Sequence, residues 1–502
     1  MNLARLFTDT ASAQPDRVAL RLDEQTVSYR QLAEASERVA GLLTTHGVVR
    51  GDRVAVMLPN IPEFAFVYYG VLRVGGVVVP MNPLLKTREI AYYLSDSDAR
   101  VIFAWPAAAD EVATALAETA DATMIVVEPD SFASTLRDQD RVVPVVDRAA
   151  DDTAVVLYTS GTTGKPKGAE LTHGNLISNV EVTQSDLVQL TQGDVVFGGL
   201  PLFHSFGQTV TLNASMAQGA TLLLLPRFDA AGAAGLMATY DATVFAGVPT
   251  MYAALLGLAE PPELAHLRVC ISGGAALPVE VLHRFEERFG SEILEGYGLS
   301  ETSPVASFNR PGRDRKPGSI GYPVTDVEMQ VVDRSGAPVP VGEVGEIAIR
   351  GHNVMKGYWH KPDATAEVLD GEGWFRTGDM GRVDADGFYF IVDRKKDLII
   401  RGGFNIYPRE VEEVLYEHPD VAQAAVVGIS HPAYGEEVGA AVVLRPGATV
   451  TEAELRDFVK GQVAAYKYPR VVWFLDALPL GPTGKVLKRE IVAPVTTEEN
   501  VR

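Results

Sequence analysis

Apolar positions in the first half of the chain recur with two alternating periods. Ser28 and Gln31 have capping-box spacing, and Leu32, Ala35, Val39, Leu42 and Leu43 then share one helical face until Gly47 stops the helix. The short apolar runs 53–58, 77–80, 101–105 and 124–128 read as strands. Between them, 61–72, 89–94 and 111–120 have the helical period. Further strand-like runs follow at 154–159, 220–226, 242–247 and 268–272. Strands that are apolar on both faces belong in parallel sheet covered by helices on either side, which predicts an α/β architecture.

The pattern changes near residue 320. Segments 327–333, 345–350 and 387–392 read as strands separated by Gly, Pro and Asp turns, as in antiparallel sheet. The charged run Asp393-Arg-Lys-Lys-Asp397 then precedes a compact tail. In that tail Pro408 starts a helix with Val411, Val414 and Leu415 on one face, and Glu410, Glu412 and Glu413 lie near its positive end. Strands are expected at 421–429 and 440–444. Thr451 and Glu454 form a second capping box, opening a helix with Leu455, Phe458, Val459 and Val463 inward. A small α+β domain is therefore expected from Leu398 onward. No internal repeat or low-complexity tract interrupts the chain.

Composition narrows the function classes. The 502 residues are 47% hydrophobic and 22% charged, proportions of an ordinary globular protein with room for several domains. Lys plus Arg number 44 against 65 Asp plus Glu, a net charge of −21, which repels nucleic acid and anionic membrane. The single cysteine, Cys270, sits in an apolar run and reads as a core residue, and no Cys/His metal spacing occurs. The first residues lack an apolar leader, and no apolar run reaches the ~18 residues that span a bilayer. A soluble cytoplasmic protein is the expectation.

The sharpest chemical signal is Tyr158-Thr-Ser-Gly-Thr-Thr-Gly-Lys-Pro-Lys-Gly168, directly after an apolar strand. Gly161, Gly164 and Gly168 let backbone amides turn toward an anion. Thr159, Ser160, Thr162 and Thr163 add hydroxyl donors, and Lys165 and Lys167 add charge. Such a loop suits a polyphosphate. It is not a Walker loop, because two residues rather than four separate Gly161 from Gly164 and a proline follows Lys165.

Together with Tyr297-Gly-Leu-Ser-Glu-Thr302, this loop resembles the AMP-forming adenylating superfamily: acyl-CoA synthetases, peptide-synthetase adenylation domains and firefly luciferase. Gly273-Gly-Ala-Ala276, Gly373-Trp-Phe-Arg-Thr-Gly-Asp379, Asp393-Arg-Lys-Lys396, Gly402-Gly-Phe-Asn-Ile-Tyr-Pro408 and Pro482-Thr-Gly-Lys485 follow in the family's order. The resemblance implies a large N-terminal domain of doubly wound sheets plus a distorted β-barrel. A small α+β C-terminal domain would be hinged to it, with the domains at 1–393 and 398–502 and the hinge at 394–397. It further implies two steps. A carboxylate attacks the α-phosphate of Mg-ATP, giving acyl-adenylate and pyrophosphate, and a thiol then attacks the acyl carbon and expels AMP. Both steps build negative charge that preorganised cations and donors must meet.

Residue roles follow from the same resemblance. The 159–167 loop would hold the β- and γ-phosphates. Glu301 would ligate Mg²⁺, Thr302 would touch the α-phosphate, and Asp379, with Arg394 nearby, would accept from the ribose hydroxyls. Gly273, Gly274, Ala275, Ala276 and Tyr297 would wall the adenine, and Gly296 and Gly298 would belong to the same ATP site. Lys485 would reach the substrate carboxylate and α-phosphate during adenylation. Lys396 would be the hinge between that pose and a thioester-forming pose, in which Gly402, Gly403 and Phe404 would line the pantetheine tunnel. His204 would orient the carboxylate or gate the thiol channel.

The acyl pocket is expected along His204, Phe206, Gly207, Val248, Gly273, Gly298, Val305 and Ala306. These segments hold no evident cation for a second anionic group, and no Asp stands where amino-acid-activating domains bind an α-amino group. The resemblance is strongest to bacterial medium- and long-chain fatty acyl-CoA ligases, with coumarate- and benzoate-type CoA ligases as the alternative. Ligases that pass the acyl group to an amine or a carrier protein share every motif. The partners implied are a small carboxylic acid, ATP and CoA, and a homodimer is compatible with the sequence.

Overall fold

Local chemistry places the helices as the spacing predicts. Ser28 caps the helix Tyr29–Thr45: its hydroxyl accepts the Gln31 N–H (3.2 Å), and the Gln31 side chain accepts the Ser28 N–H (2.8 Å). Thr451 and Glu454 do the same for Glu452–Lys460. The computed structural model describes residues 1–119, 122–139, 143–159, 165–394 and 397–494.

The apolar strands divide between two sheets. The first has seven strands in the order Gly357–Tyr358, Lys167–Thr172, Thr153–Thr159, Val77–Pro80, Arg53–Met57, Ala99–Ala104 and Thr123–Val126. The last five are mutually parallel, and Lys167–Thr172 turns back antiparallel on Thr153–Thr159. Alternate residues face opposite layers. Val54, Val56, Val78, Val101 and Phe103 enter the main core, whereas Ala55, Met57, Val77, Val79 and Ile102 pack with Ile90, Leu94 and Val112 of the outer helices. Both faces are dry, as a continuous apolar run requires.

The second sheet has nine strands. Ile293–Gly298, Val269–Ser272, Val244–Gly247, Val195–Gly198, Thr221–Leu224 and Val18–Leu22 run parallel, and antiparallel strands extend both edges. Val18–Leu22 joins it from the far N-terminus. Cys270 lies fully buried in this sheet, and burial pushes its thiol up to about 12, so it is the core residue expected. Phe245, Tyr252, Phe285 and Phe289 form a contiguous aromatic group beneath the sheet.

Val327–Val332, Gly345–Gly351, Phe375–Val383 and Tyr389–Arg394 form a four-stranded antiparallel sheet. A Gly321–Tyr389 bridge ties it to the edge of the second sheet. The small C-terminal domain has its own sheet, with Phe404–Ile406, Ile399–Arg401, Gly435–Leu444 and Val421–His431 antiparallel and Val471–Phe474 parallel to Gly435–Leu444. Its core gathers Ile406, Val411, Leu415, Val426, Val438 and Leu455. Among the described residues no helix is long and apolar enough to cross a membrane.

Phe285 is fully buried at the centre of the aromatic group. Phe285→Ala is expected to lower unfolding free energy by about 3–5 kcal/mol, measured as a reduced denaturation midpoint in urea.

Candidate active site

The carboxyl ends of the parallel strands open on one cavity of about 1780 Å³, well beyond the ~300–1,000 Å³ of a site for a single small ligand. This is where open α/β sheets bind ligands. Thr153–Thr159 delivers Thr159, Val269–Ser272 leads into Gly273–Ala276, and Ile293–Gly298 delivers Gly296, Tyr297 and Gly298. The C-terminal domain closes the cavity with the turn 481–489.

At one end lies the glycine- and lysine-rich hairpin. Thr159 pairs with Lys167 across it. Lys165 and Lys167 line the cavity, Lys167 lying over the Tyr358 ring at 5.1 Å. Ser160, Gly161, Thr162, Thr163 and Gly164 lie outside the described residues. The hairpin is braced from the helix Thr87–Ser97, whose Tyr92 hydroxyl donates to the Pro166 carbonyl (2.7 Å). Asp96 of that helix accepts from the Tyr158 hydroxyl (2.8 Å) and pairs with Lys361. Neither Tyr92 nor Asp96 was legible in the sequence, because they meet the hairpin only through the tertiary fold.

Glu301 faces the hairpin. Its Oε1 accepts from Thr159 (3.2 Å) and from the Tyr358 hydroxyl (3.0 Å), so Tyr358 is a second partner the motifs did not reveal. Its other oxygen takes no hydrogen bond from a described residue. A carboxylate oriented by two hydroxyls, with one oxygen free beside a polyanion site, suits a hard cation held mainly by phosphate and water. Among the described residues there is no cluster of three metal-ligating side chains.

Deeper in, Asp379 stands opposite Arg394 on adjacent strands and is buried. Its Oδ2 accepts from the Tyr297 hydroxyl (2.6 Å), and its Oδ1 lies 3.3 Å from the Arg394 Nε. Burial and the neighbouring Asp379 charge hold the Tyr297 phenol well above its ordinary value, so it remains a donor.

Lys485 enters from the C-terminal domain. Its turn is pinned by the Thr250 hydroxyl, which donates to the Gly484 carbonyl (2.8 Å). Gly274 is left-handed at φ +82°, and a Cβ there would sit 3.1 Å from the Lys485 Cε. Burial, reinforced by the Arg394 charge, lowers the Lys485 amine to about 8, and Asp379 and Glu301 oppose the shift. His204 lines the cavity near Lys485. Burial, then the Lys485 charge, push its imidazole down to about 3, so it is neutral at physiological pH. Lys165, Lys167, Arg394 and Lys485 thus present cations to a polyanion, while one end of the cavity stays apolar.

Two family models match the chain: the AMP-binding enzyme model over residues 7–359 and the AMP-binding enzyme C-terminal domain over 410–485. The chain belongs to the AMP-binding enzyme family. It is an acid–CoA ligase. It is 38% identical to a long-chain-fatty-acid–CoA ligase of Bacillus subtilis, over 100% of this chain and 96% of that one. It is also 38% identical to a feruloyl-CoA synthase of Amycolatopsis sp., over 96% of each. It superposes on ATP-bound MatB from Rhodopseudomonas palustris with a TM-score of 0.91 at 36% identity, covering 97% of this chain and 98% of that one. The apo form of that protein matches with a TM-score of 0.80.

Several sequence expectations for the ligase need correction. Thr302 is fully buried and does not line the cavity: its hydroxyl donates to the Pro304 carbonyl (2.5 Å) and accepts the Leu299 N–H (2.9 Å), capping a short turn. Gly207, Val248 and Ala306 lie behind the pocket wall. A side chain at Gly207 would collide with the Pro201 carbonyl, Val248 packs toward Gly274 and Gly484, and Ala306 is wholly enclosed in its strand. The wall is instead made by Leu187, Val188, Val210, Ala253 and Phe308, together with the expected Phe206 and Val305. The π-helical segments Thr183–Leu187 and Gly207–Asn213 shape this end and left no trace in the apolar periodicity. Gly402, Gly403 and Phe404, expected at the pantetheine tunnel only in the thioester-forming pose, stand outside the cavity in this pose, with Phe404 exposed and stacked on Tyr466 at 4.7 Å. Lys396 lies outside the described residues.

Competitive acetylation followed by mass spectrometry measures the Lys485 titration directly. Half-maximal labelling is expected near pH 8, and a midpoint above pH 10 would contradict the burial of this amine in the free enzyme.

Proposed function

We propose that this ligase activates a medium- or long-chain fatty acid with Mg-ATP and passes the acyl group to CoA, giving acyl-CoA, AMP and pyrophosphate. The observation that carries the reading is the cavity's division into a cationic end, reached by Lys485, and an apolar end. Among the described residues lining 183–188, 203–210, 249–253, 271–276 and 304–308 there is no lysine or arginine. A second carboxylate or a sulfonate would be desolvated there without a partner, whereas an alkyl chain gains about 0.8 kcal/mol per buried CH₂. The full-length likeness to the Bacillus subtilis fatty-acid ligase supports the same choice. A second reading, an aryl acid, draws on the flat wall at Gly273, where the Phe206 ring lies 3.2 Å from the position a Cβ would take, and on the feruloyl-CoA synthase relative.

In the first step the acid's carboxylate oxygen bonds to the α-phosphorus as the bond to the β-phosphate breaks, and pyrophosphate leaves. The Thr159–Lys167 hairpin holds the leaving phosphates. Asp379 accepts from the ribose hydroxyls and is itself held by Tyr297 and Arg394. Glu301 would hold Mg²⁺, which neutralises phosphate charge when bound. Lys485 donates to the oxygens that gain charge, and its burial makes that donation stronger than it would be in water. His204, neutral, orients the acid without exchanging protons. In the second step the CoA sulfur bonds to the acyl carbon and AMP departs. The C-terminal domain, residues 398–502, rotates about the hinge at 394–397 that includes Lys396. Lys485 withdraws, and Gly402, Gly403 and Phe404 come to the thiol path. The closer superposition on ATP-bound than on apo MatB supports the present pose as the adenylating one.

A panel of alkanoic acids, cinnamates, benzoates and sulfoacetate, assayed for CoA-dependent AMP release, tests the substrate. Alkanoates of medium or long chain are expected to give the highest kcat/KM. Preference for a cinnamate would favour the aryl reading, and ADP in place of AMP would overturn the chemistry. Lys485→Ala is expected to lower acid-dependent pyrophosphate exchange by about 10²–10³-fold, while thioester formation from supplied acyl-adenylate stays within a few-fold of wild type.

A further inference from the structure

The helix Pro408–Glu417 of the C-terminal domain carries charged side chains whose partners lie outside that domain. Arg409 donates from Nη1 to the Ile391 carbonyl (2.7 Å) and from Nη2 to the Gly318 carbonyl (3.4 Å), and its own N–H meets the Asp393 carboxylate (3.0 Å). Its Nε lies 3.4 Å from Glu413, whose second oxygen accepts the Val279 N–H (3.1 Å). Val279 opens the helix Val279–Phe289, so Glu413 satisfies an amide that has no partner within its own helix. Nearby, Glu295 is buried, its carboxyl pushed up to about 7 by burial, with the Arg409 charge opposing that shift.

Glu412, the residue before Glu413, faces the Lys485 segment instead. Glu412 accepts the Val426 N–H (2.8 Å) inside the C-terminal domain and pairs with Lys488 at 2.7 Å. Lys488 stands three residues after Lys485, in the turn where the Gly481 N–H binds the Lys485 carbonyl (2.7 Å). One face of this helix is therefore tied through Arg409 and Glu413 to residues 318, 391 and 279, while Glu412 of the same helix holds the segment that inserts Lys485. The partners of Arg409 and Glu413 at 318, 391, 393 and 279 all lie outside the C-terminal domain.

We propose that Arg409, with Glu413 and Glu412, is a positioning clamp that fixes the C-terminal domain in the pose presenting Lys485, and so serves acyl-adenylate formation but not thioester formation. The proposal rests on the reading of Lys485 as the adenylation-step lysine. Rotation about 394–397 would release the bonds to Gly318, Ile391 and Val279 together, so the clamp favours one pose only.

The test compares Arg409→Gln and Glu413→Gln with wild type and Lys485→Ala in both half-reactions, together with hydrogen exchange over 479–489 in the ATP-bound enzyme. Arg409→Gln is expected to lower acid-dependent pyrophosphate exchange tenfold or more, to leave thioester formation from supplied acyl-adenylate unchanged or faster, and to deprotect 479–489. Glu413→Gln keeps the side-chain oxygen that Val279 needs, and it is expected to shift the same readouts in the same direction by less. It carries the test if Arg409→Gln does not fold. Equal loss in both half-reactions, or no change in either, would overturn the clamp. Unchanged exchange in Lys485→Ala would instead overturn the reading of Lys485. Protection of 479–489 would then decide the clamp alone, its loss in Arg409→Gln supporting it and its retention overturning it.

Discussion

Withdrawing the Lys485 ammonium from water costs free energy, and much of the surrounding architecture offsets that cost. Burial holds the amine near 8, and the carboxylates of Asp379 and Glu301 act against the shift while Arg394 adds to it. The amine reaches this position because Gly274 leaves its wall free of a side chain and Thr250 pins the Gly484 carbonyl. His204, close by and buried, can only be neutral, since a second cation beside Lys485 would be destabilised by both desolvation and repulsion. Bound phosphates would supply the negative charge that this collection of cations lacks.

Several of the fixed groups around that lysine stand on strands of the large domain. Asp379 and Arg394 are opposed across an antiparallel pair, and Thr159 and Lys167 close a hairpin at the carboxyl end of a parallel sheet. Tyr297 and Tyr358 hold Asp379 and Glu301 by hydroxyl bonds, so each carboxylate is oriented before any substrate arrives. Lys485, in contrast, belongs to the C-terminal domain, on a turn held by the Thr250 hydroxyl and the Lys488–Glu412 pair. This division is what the proposed two-step reaction, with different groups brought to one acyl carbon, would use.

The acyl end follows a different rule. The segments 183–188, 203–210, 249–253, 271–276 and 304–308 hold no lysine or arginine, so the proposed choice of acid rests on exclusion more than on recognition. Relatives of equal identity bear the names of a fatty-acid ligase and a feruloyl-CoA synthase, so the named acid varies among similar proteins. Pocket shape here depends on two π-helical segments, and small changes in such segments alter depth without touching the motifs.

What the sequence determined by itself was whatever depends on neighbours along the chain. The capping boxes at Ser28 and Thr451, the strands apolar on both faces, the start of a helix at Pro408 and the adenylating motifs are short-range features, and each is legible from residue type and spacing. Tertiary structure decided what depends on distant segments meeting. It sorted the parallel strands into two sheets and brought Val18–Leu22 into the second. It placed Tyr92, Asp96 and Tyr358 beside the motifs, turned the Thr302 hydroxyl away from the cavity, and set Gly207, Val248 and Ala306 behind its wall. The direction a side chain faces, and the charge it meets there, are fixed by packing across hundreds of residues, which no local pattern encodes.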